Sequence, residues 1–441
     1  MKFFNIFIVI ILFTNCSFDK RTGIWKNEDN LTKKEDVTFK DFKTISSANE
    51  FYEKSIPIDK NFKFKLKDPL KNTEWSDIFF SDSNNYTNFK YDNKNKTIYQ
   101  SQKLTKNNIN ESILFKDEHI IFSDKRGNII VFSINQNKII TKFNFYKKKL
   151  KKIDKIINLI IDNNIIFASD NLGYLYAFDY KKNTILWAKN YKIPFRSNLK
   201  LINTKLISAD QNNNLYFFEK KNGNTVKLIP TEETLVKNQF INNISLTKNS
   251  IFFLNTYGSL YSIDKNTLSV KWFLNLNQSL DLNPSNLFSG TELVNNNNKI
   301  IVTTNYTTYI INTNSGSILY KNNISSNFKP IIYNNYLFLI SKKNYLVCIN
   351  LNSGKIIYSS NINKKISEFL KEKRKEIDIH EIMILNNEIY IFLKNSQILV
   401  FDIAGEVKSI RKLNAKMNSN IIIIDGSILF VDSKKKLFIS D

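Results

Sequence analysis

The stretch Ile165-Ile166-Phe167-Ala168-Ser169-Asp170-Asn171-Leu172-Gly173-Tyr174-Leu175-Tyr176-Ala177-Phe178-Asp179, closed by Thr184-Ile185-Leu186-Trp187, decides the fold. It reads as a short apolar strand, an Asp/Gly turn, a second strand, an Asn-containing turn and a third strand ending on an aromatic. Each run is short, alternating or wholly apolar, and rich in Ile, Phe and Tyr, which suits half-buried or fully buried strands. The unit recurs at Ile121 to Phe132, Leu206 to Phe218, Phe252 to Ile263, Ile300 to Ile311, Leu337 to Ile349, Ile389 to Phe401 and Ile428 to Ser440. With Asp124, Asp170, Asp210, Asn255, Thr303, Ser341, Leu393 and Asp432 taken as equivalent, the steps are 46, 40, 45, 48, 38, 52 and 39 residues. Four short strands every 40 to 50 residues or so are the mark of β-propeller blades, because one such sheet cannot cover both of its faces alone. Seven copies are complete and the eighth breaks off at the C-terminus, so a closing strand is required. Lys96-Thr97-Ile98-Tyr99-Gln100 resembles the last strand of a repeat and can supply it. The sequence therefore predicts an all-β, eight-bladed propeller over residues 66–441, its ring closed by an N-terminal strand.

Composition narrows the possibilities around that core. The 441 residues include 64 Lys+Arg and 40 Asp+Glu, a net charge of +24, and 42% are apolar. That apolar fraction excludes a wholly disordered chain. Two Cys exclude a disulfide scaffold, and two His leave little for a histidine-rich metal site, so neither a metal nor a cofactor is expected. The positive charge alone would suit nucleic acid or an anionic membrane.

The N-terminus decides between those two. Met1-Lys2 is followed by Phe3 to Phe13, apolar except for Asn5 and too short to span a bilayer, as in a signal peptide. Phe13-Thr14-Asn15-Cys16 resembles the lipobox of bacterial lipoproteins, whose Cys is acylated and becomes the first mature residue; Asn15 stands where Gly, Ala or Ser is usual. Ser17 fits sorting to the outer membrane. The resemblance implies a lipid on Cys16 and a chain held at the outer membrane facing the periplasm, which removes nucleic acid as a partner. Residues 1–15 then form the signal and 16–65, polar and without sustained periodicity, a flexible tether. Cys348 is left alone in the run Tyr345 to Ile349, where a small buried hydrophobe is its expected role.

The pattern Gly-x-Leu-Tyr-Ala-Phe-Asp with a closing Trp resembles the PQQ-type propeller repeat, found in quinoprotein dehydrogenases and in the BamB lipoproteins of the outer-membrane β-barrel assembly machinery. Pro69-Leu70-Lys71-Asn72-Thr73-Glu74-Trp75 also resembles the stretch leading into the first blade of alphaproteobacterial BamB proteins. Lipid anchor, tether, Trp segment and eight blades follow in the order of that family. The resemblance implies a scaffold that binds the periplasmic part of BamA and assists unfolded barrel proteins. On this reading Pro194-Phe195-Arg196 occupies the place of the family's apolar-Arg docking pair, with Phe195 as anchor and Arg196 as donor to a carboxylate or carbonyl. The alternative at that place is Phe195 packing between blades. Asp281 in Asp281-Leu282-Asn283 is the nearest equivalent of an acidic docking loop.

Nothing in the chain points to catalysis. Asp124, Asp170 and Asp210 recur at one repeat position, which reads as turn chemistry, and His119 and His380 stand isolated. No GxSxG, HExxH or phosphate-cradling loop is present. No enzyme and no small-molecule substrate are expected; a propeller gripping an envelope polymer, or a degenerate quinoprotein enzyme, are the other readings. Two basic segments, Lys147 to Lys152 and the helix-like Lys364 to Asp378, suit an anionic membrane, an acidic partner or plain solvation.

Overall fold

The computed structural model describes residues 16–18, 25–27, 51–233, 240–277, 288–296, 298–373 and 376–441. The chain divides into a unit ending at Glu50 and a compact unit from Phe51 to Asp441. In the first, Cys16–Phe18 pairs antiparallel with Trp25–Asn27. Among the described residues of the second, the strands form eight blades, the predicted number.

We number the blades 1 to 8 along the chain and their strands A to D outward from the axis. Blade 2 is typical: Ile157–Asp162, Ile165–Asp170, Tyr174–Asp179 and Thr184–Asn190, antiparallel throughout. Strands B and C are almost wholly buried and strand D is mostly exposed, as expected when neighbouring blades cover the middle of each sheet and leave its rim in water. Blade 8 takes three strands from the C-terminus, Ile422–Ile424, Ser427–Val431 and Lys436–Ser440, and its fourth, Thr97–Lys103, from the N-terminal side. Tyr99 lies opposite Ile439, and Lys96 and Asp441 exchange both backbone hydrogen bonds. The ring is closed by the strand the sequence pointed to.

Two repeat positions explain why the blades fit. At the B–C turns the acid binds its own backbone: Asp170 Oδ1 accepts from the Leu172 and Tyr174 amides, Asp210 Oδ1 from Asn212 and Asn214, and Asp124 Oδ1 from Arg126 and Asn128. These carboxylates are turn elements. At the C–D turns, Gly223 and Gly316 have φ of +69° and +72°, and a Cβ there would lie 2.5 Å from the Trp187 ring and 2.6 Å from the Trp272 ring. The aromatic that closes one blade thus packs flat on the turn glycine of the next, with the indole N–H of Trp187 donating to the Lys220 carbonyl. Tyr320 meets Gly354 and Tyr358 meets Gly405 in the same way.

The compact unit begins before the predicted boundary. Residues 51–65, assigned above to the tether, lie along the propeller: Ile56 and Ser359 on the outer strand of blade 6 exchange both backbone hydrogen bonds at 2.9 Å. Phe62 and Phe64 pack on Tyr336. The chain here is extended without being periodic, because its contacts lie some 270 residues away in sequence. Cys348 is fully buried, and burial pushes its thiol pKa up, so it is a core residue as expected.

Candidate functional site

A propeller's axis is lined by the A strands, whose inner edges carry unpaired backbone groups. Here the chain itself fills that axis. Residues 72–92 run through it and engage every blade. Trp75 exchanges backbone hydrogen bonds with Phe115 of blade 1, and Ile161 of blade 2 donates to the Ser76 carbonyl. Lys200 of blade 3 donates through Nζ to Asp77 Oδ2 and to the Ser81 carbonyl, each at 2.7 Å. Leu246 of blade 4 and Asn295 of blade 5 donate to the Asp82 and Ser83 carbonyls. The Asn85 side chain mimics a strand, accepting from the Ile332 amide of blade 6 and donating to its carbonyl, each at 2.8 Å. Asn88–Phe89 adds a parallel fifth strand to blade 7, and Asn72 pairs with Ile423 and Asp425 at blade 8.

Short polar side chains make this possible. Ser, Asp and Asn bond to backbone as readily as strands do, so a Ser81-Asp82-Ser83-Asn84-Asn85 run can satisfy edges without becoming a strand. Asn84, at φ +59°, spans blades 4 and 5 by donating to the Ile244 and Leu293 carbonyls. Beneath them Trp75, Phe80, Tyr86 and Phe89 form an aromatic cluster with ring centroids 4.8 to 6.4 Å apart. Each such buried ring contributes roughly 1.5–3 kcal/mol.

Around the segment lie two spaces: one of about 390 Å³ lined by Ser81, Asp82, Ser83, Asn85 and the A–B turns of blades 4 and 5, and a cavity of about 130 Å³ on the face carrying the B–C turns and blade-to-blade loops, lined among others by Phe79, Tyr86, Glu292, Lys329, His380 and Glu381. Tyr86 donates to Glu381 Oε1 at 2.7 Å and the Ile421 amide to Oε2 at 2.9 Å; burial nevertheless raises the Glu381 pKa above the usual carboxylate range. Lys329 Nζ lies 3.2 Å from the Tyr86 ring centroid and has no hydrogen-bond partner among the described residues. Desolvation lowers its pKa to about 7. The other histidine, His119, lies outside this site, its ring against Tyr180.

The sequence-predicted docking residues sit on this same face, in a loop between blades 2 and 3. Pro194 is half-buried, and its carbonyl accepts from the Gln211 amide. Phe195 is only 3% exposed and packs among Ile160, Phe167, Leu175, Leu199 and Phe218. Of the two readings of Phe195 given above, the ring's placement is that of packing between blades: apolar walls from both blades close over it. Arg196 is half-buried, its amide bound to Ala209 and its carbonyl to Asn242. Asp281 lies outside the described residues, and Cys16 is placed only as part of its short strand. Sequence reasoning missed the axial segment; the polar run after Trp75 was its one visible sign.

A quinone cofactor with its metal would need an open axial chamber. The residues here do not fit one, since residues 72–92 occupy the axis and bond to the inner strand of every blade. Among the described residues no group of three or more His, Cys, Asp or Glu could hold a metal ion.

Geometry thus defines an eight-bladed propeller with a self-filled axis. The family model described as outer membrane protein assembly factor BamB matches residues 125–360, more than half the chain, and the chain belongs to that family of PQQ-repeat propellers. Among solved structures it is similar to BamB from Moraxella catarrhalis, 11% identical, with a TM-score of 0.63, covering 78% of this chain and 99% of that one. It is also similar to quinohemoprotein alcohol dehydrogenase from Comamonas testosteroni, 8% identical, TM-score 0.60, covering 83% and 80%. The C-terminal WD40 domain of Sif2 aligns at 11% identity and TM-score 0.55, covering 79% and 98%. At these identities the likeness is one of fold. No curated protein matches the chain.

Proposed function

We propose that this chain is a non-enzymatic scaffold lipoprotein of the outer-membrane β-barrel assembly machinery. Lipid on Cys16 holds it to the outer membrane on the periplasmic side, and the propeller binds the periplasmic part of BamA and assists unfolded barrel proteins. One observation carries this reading: the axis, where a propeller enzyme needs its chamber, is occupied by the chain's own residues, while the rim is open. The outer strands of blades 2 to 5 expose Ile185, Leu186, Val226, Leu228, Val270, Phe273, Ile318 and Leu319, along edges suited to pairing with an added strand. Ile56 on blade 6 is an example of that pairing within the chain itself. Arg196, half-buried in the loop between blades 2 and 3, is the residue we assign to a partner's carboxylate or carbonyl, since a guanidinium forks two donors onto such a group.

Solubilised outer membrane from cells making the tagged protein tests this. BamA is expected in the eluate, less of it with Arg196→Glu, and the tagged protein itself should leave the membrane fraction with Cys16→Ala. An eluate of the wild-type protein without BamA would end the proposal.

A further inference from the structure

The axial cavity holds a charge that nothing in the fold uses. Lys329 Nζ is closed off from solvent, faces the cavity, and directs three donors at no acceptor. Its ring contacts are to Tyr86 at 3.2 Å and Phe79 at 5.2 Å. Those faces attract a cation but accept no conventional hydrogen bond. A buried donor left unmade costs about 1–3 kcal/mol, more when charged, so such a group is retained at a cost to stability. The two carboxyls of the wall do not meet it. Glu381 is held by Tyr86 and Ile421, and no hydrogen bond joins Lys329 to Glu292.

We propose that this cavity binds a carboxylate group through the Lys329 ammonium. Glu292 and Glu381 in the wall oppose a phosphate dianion more strongly than a carboxylate, and a carboxylate can take charge-assisted bonds from the single ammonium. The size agrees, since about 130 Å³ equals the share of roughly four waters, enough for a carboxylate on a short stem. Phe79 and Tyr86 give that stem an apolar floor, and Asn327 and Asn420 give amides at the wall. The carboxylate belongs either to a free short-chain acid or to an acidic side chain inserted by a polypeptide from the loop face.

Thermal unfolding of the full chain in sodium acetate, against sodium chloride at equal ionic strength, tests the site. The expected result is a rise in midpoint that saturates with acetate in the wild type and is absent in Lys329→Met. Glu292→Gln, which keeps the ammonium, should bind acetate several-fold more tightly. Equal shifts in wild type and Lys329→Met, or none in either, would mean a water-filled pocket and overturn the proposal. The peptide acetyl-Ala-Ala-Asp-Ala-Ala-amide and its Asn counterpart separate the two sources. Competition with acetate by the Asp peptide alone marks an inserted side chain, and saturation by acetate without such competition marks a free acid. Affinity should fall as pH rises from 6 to 9, as the Lys329 ammonium is lost; the other ionisable groups around it are Glu292, Glu381, Asp77, Lys200, Tyr86 and His380.

Discussion

Replacing Asp77 by Ala should loosen the axial segment without dismantling the blades remote from the ring closure. Asp77 Oδ2 lies 2.7 Å from Lys200 Nζ, and the two side chains are 9% and 0% exposed. Asp77 Oδ1 also accepts from the Phe79 amide at 2.8 Å, which fixes the first turn of the segment inside the ring. Removing one member of a buried ion pair costs about 3–5 kcal/mol, because the other charge stays buried without its partner. In Asp77→Ala the Lys200 ammonium keeps only the Ser81 carbonyl. Hydrogen exchange measured by mass spectrometry reads this locally, since exchange from a transient opening scales with the opening equilibrium. At about 1.36 kcal/mol per decade, amides between Trp75 and Asp92 should exchange roughly 10²- to 10⁴-fold faster. Lys200→Met should have a similar effect. The double variant Asp77→Leu/Lys200→Met should recover most of the protection, as replacing a whole buried pair by apolar groups is often neutral. Additive losses in the double variant, or unchanged exchange in Asp77→Ala, would refute the view that this pair clamps the segment.

Three further outcomes follow from the same geometry. Gly316→Ala should cost at least about 1–2 kcal/mol from its left-handed backbone alone, and more from overlap with Trp272, read as a lower midpoint in urea; an unchanged midpoint would mean the ring does not seat there. The pKa of Lys329 is lowered to about 7. Its unfolded value is near 10.4, so between these the unfolded chain binds more protons and stability rises with pH, by up to about 1.4 kcal/mol per unit. Lys329→Met should flatten that slope between about pH 7.5 and 9.5, below the range where Tyr86, whose pKa burial raises well above 10, acts in the opposite sense. Equal slopes in both proteins would contradict the burial of the ammonium. Thr97 and Ser440 lie directly opposite across the closing pair. Thr97→Cys with Ser440→Cys should therefore form a disulfide on mild oxidation, since opposed Cα atoms lie at about 4.5–5.5 Å, within disulfide reach; failure to cross-link would disprove this register.

What could be read from the sequence was what repeats. Strand alternation, the Asp of the B–C turn and the pairing of Gly with a closing aromatic are local signals, and each recurs often enough to outweigh irregular copies. The closing strand was legible because Thr97 to Gln100 resembles its counterparts. Residues 72–92 were not, since their order comes from partners scattered over the whole ring: Ser83 finds Asn295, and Asn85 finds Ile332. No periodicity encodes such one-to-one capping. Phe195 carries the same lesson in reverse. A Phe-Arg pair in a loop resembles a docking anchor, but the neighbouring blade supplies Leu199, Leu206 and Phe218 to bury the ring.

Axis and ring closure are coupled by chain economy, since Asp92 ends the axial run and Thr97 opens the strand that completes blade 8. Without residues 72–92 the inner edges of the A strands would hold unpaired donors away from bulk water, at about 1–3 kcal/mol each. Without the closing strand, the axial segment would lose the anchor just beyond Asp92. The two should therefore open together. In Asp77→Ala, faster exchange should appear in Thr97–Lys103 and in Lys436–Ser440 as well as between Trp75 and Asp92. The strands of blades 3 and 4, far from the closure, should stay protected. Protection retained at blade 8 while the axial segment exchanges freely would make them independent units, and the closing strand alone would then account for the integrity of the ring.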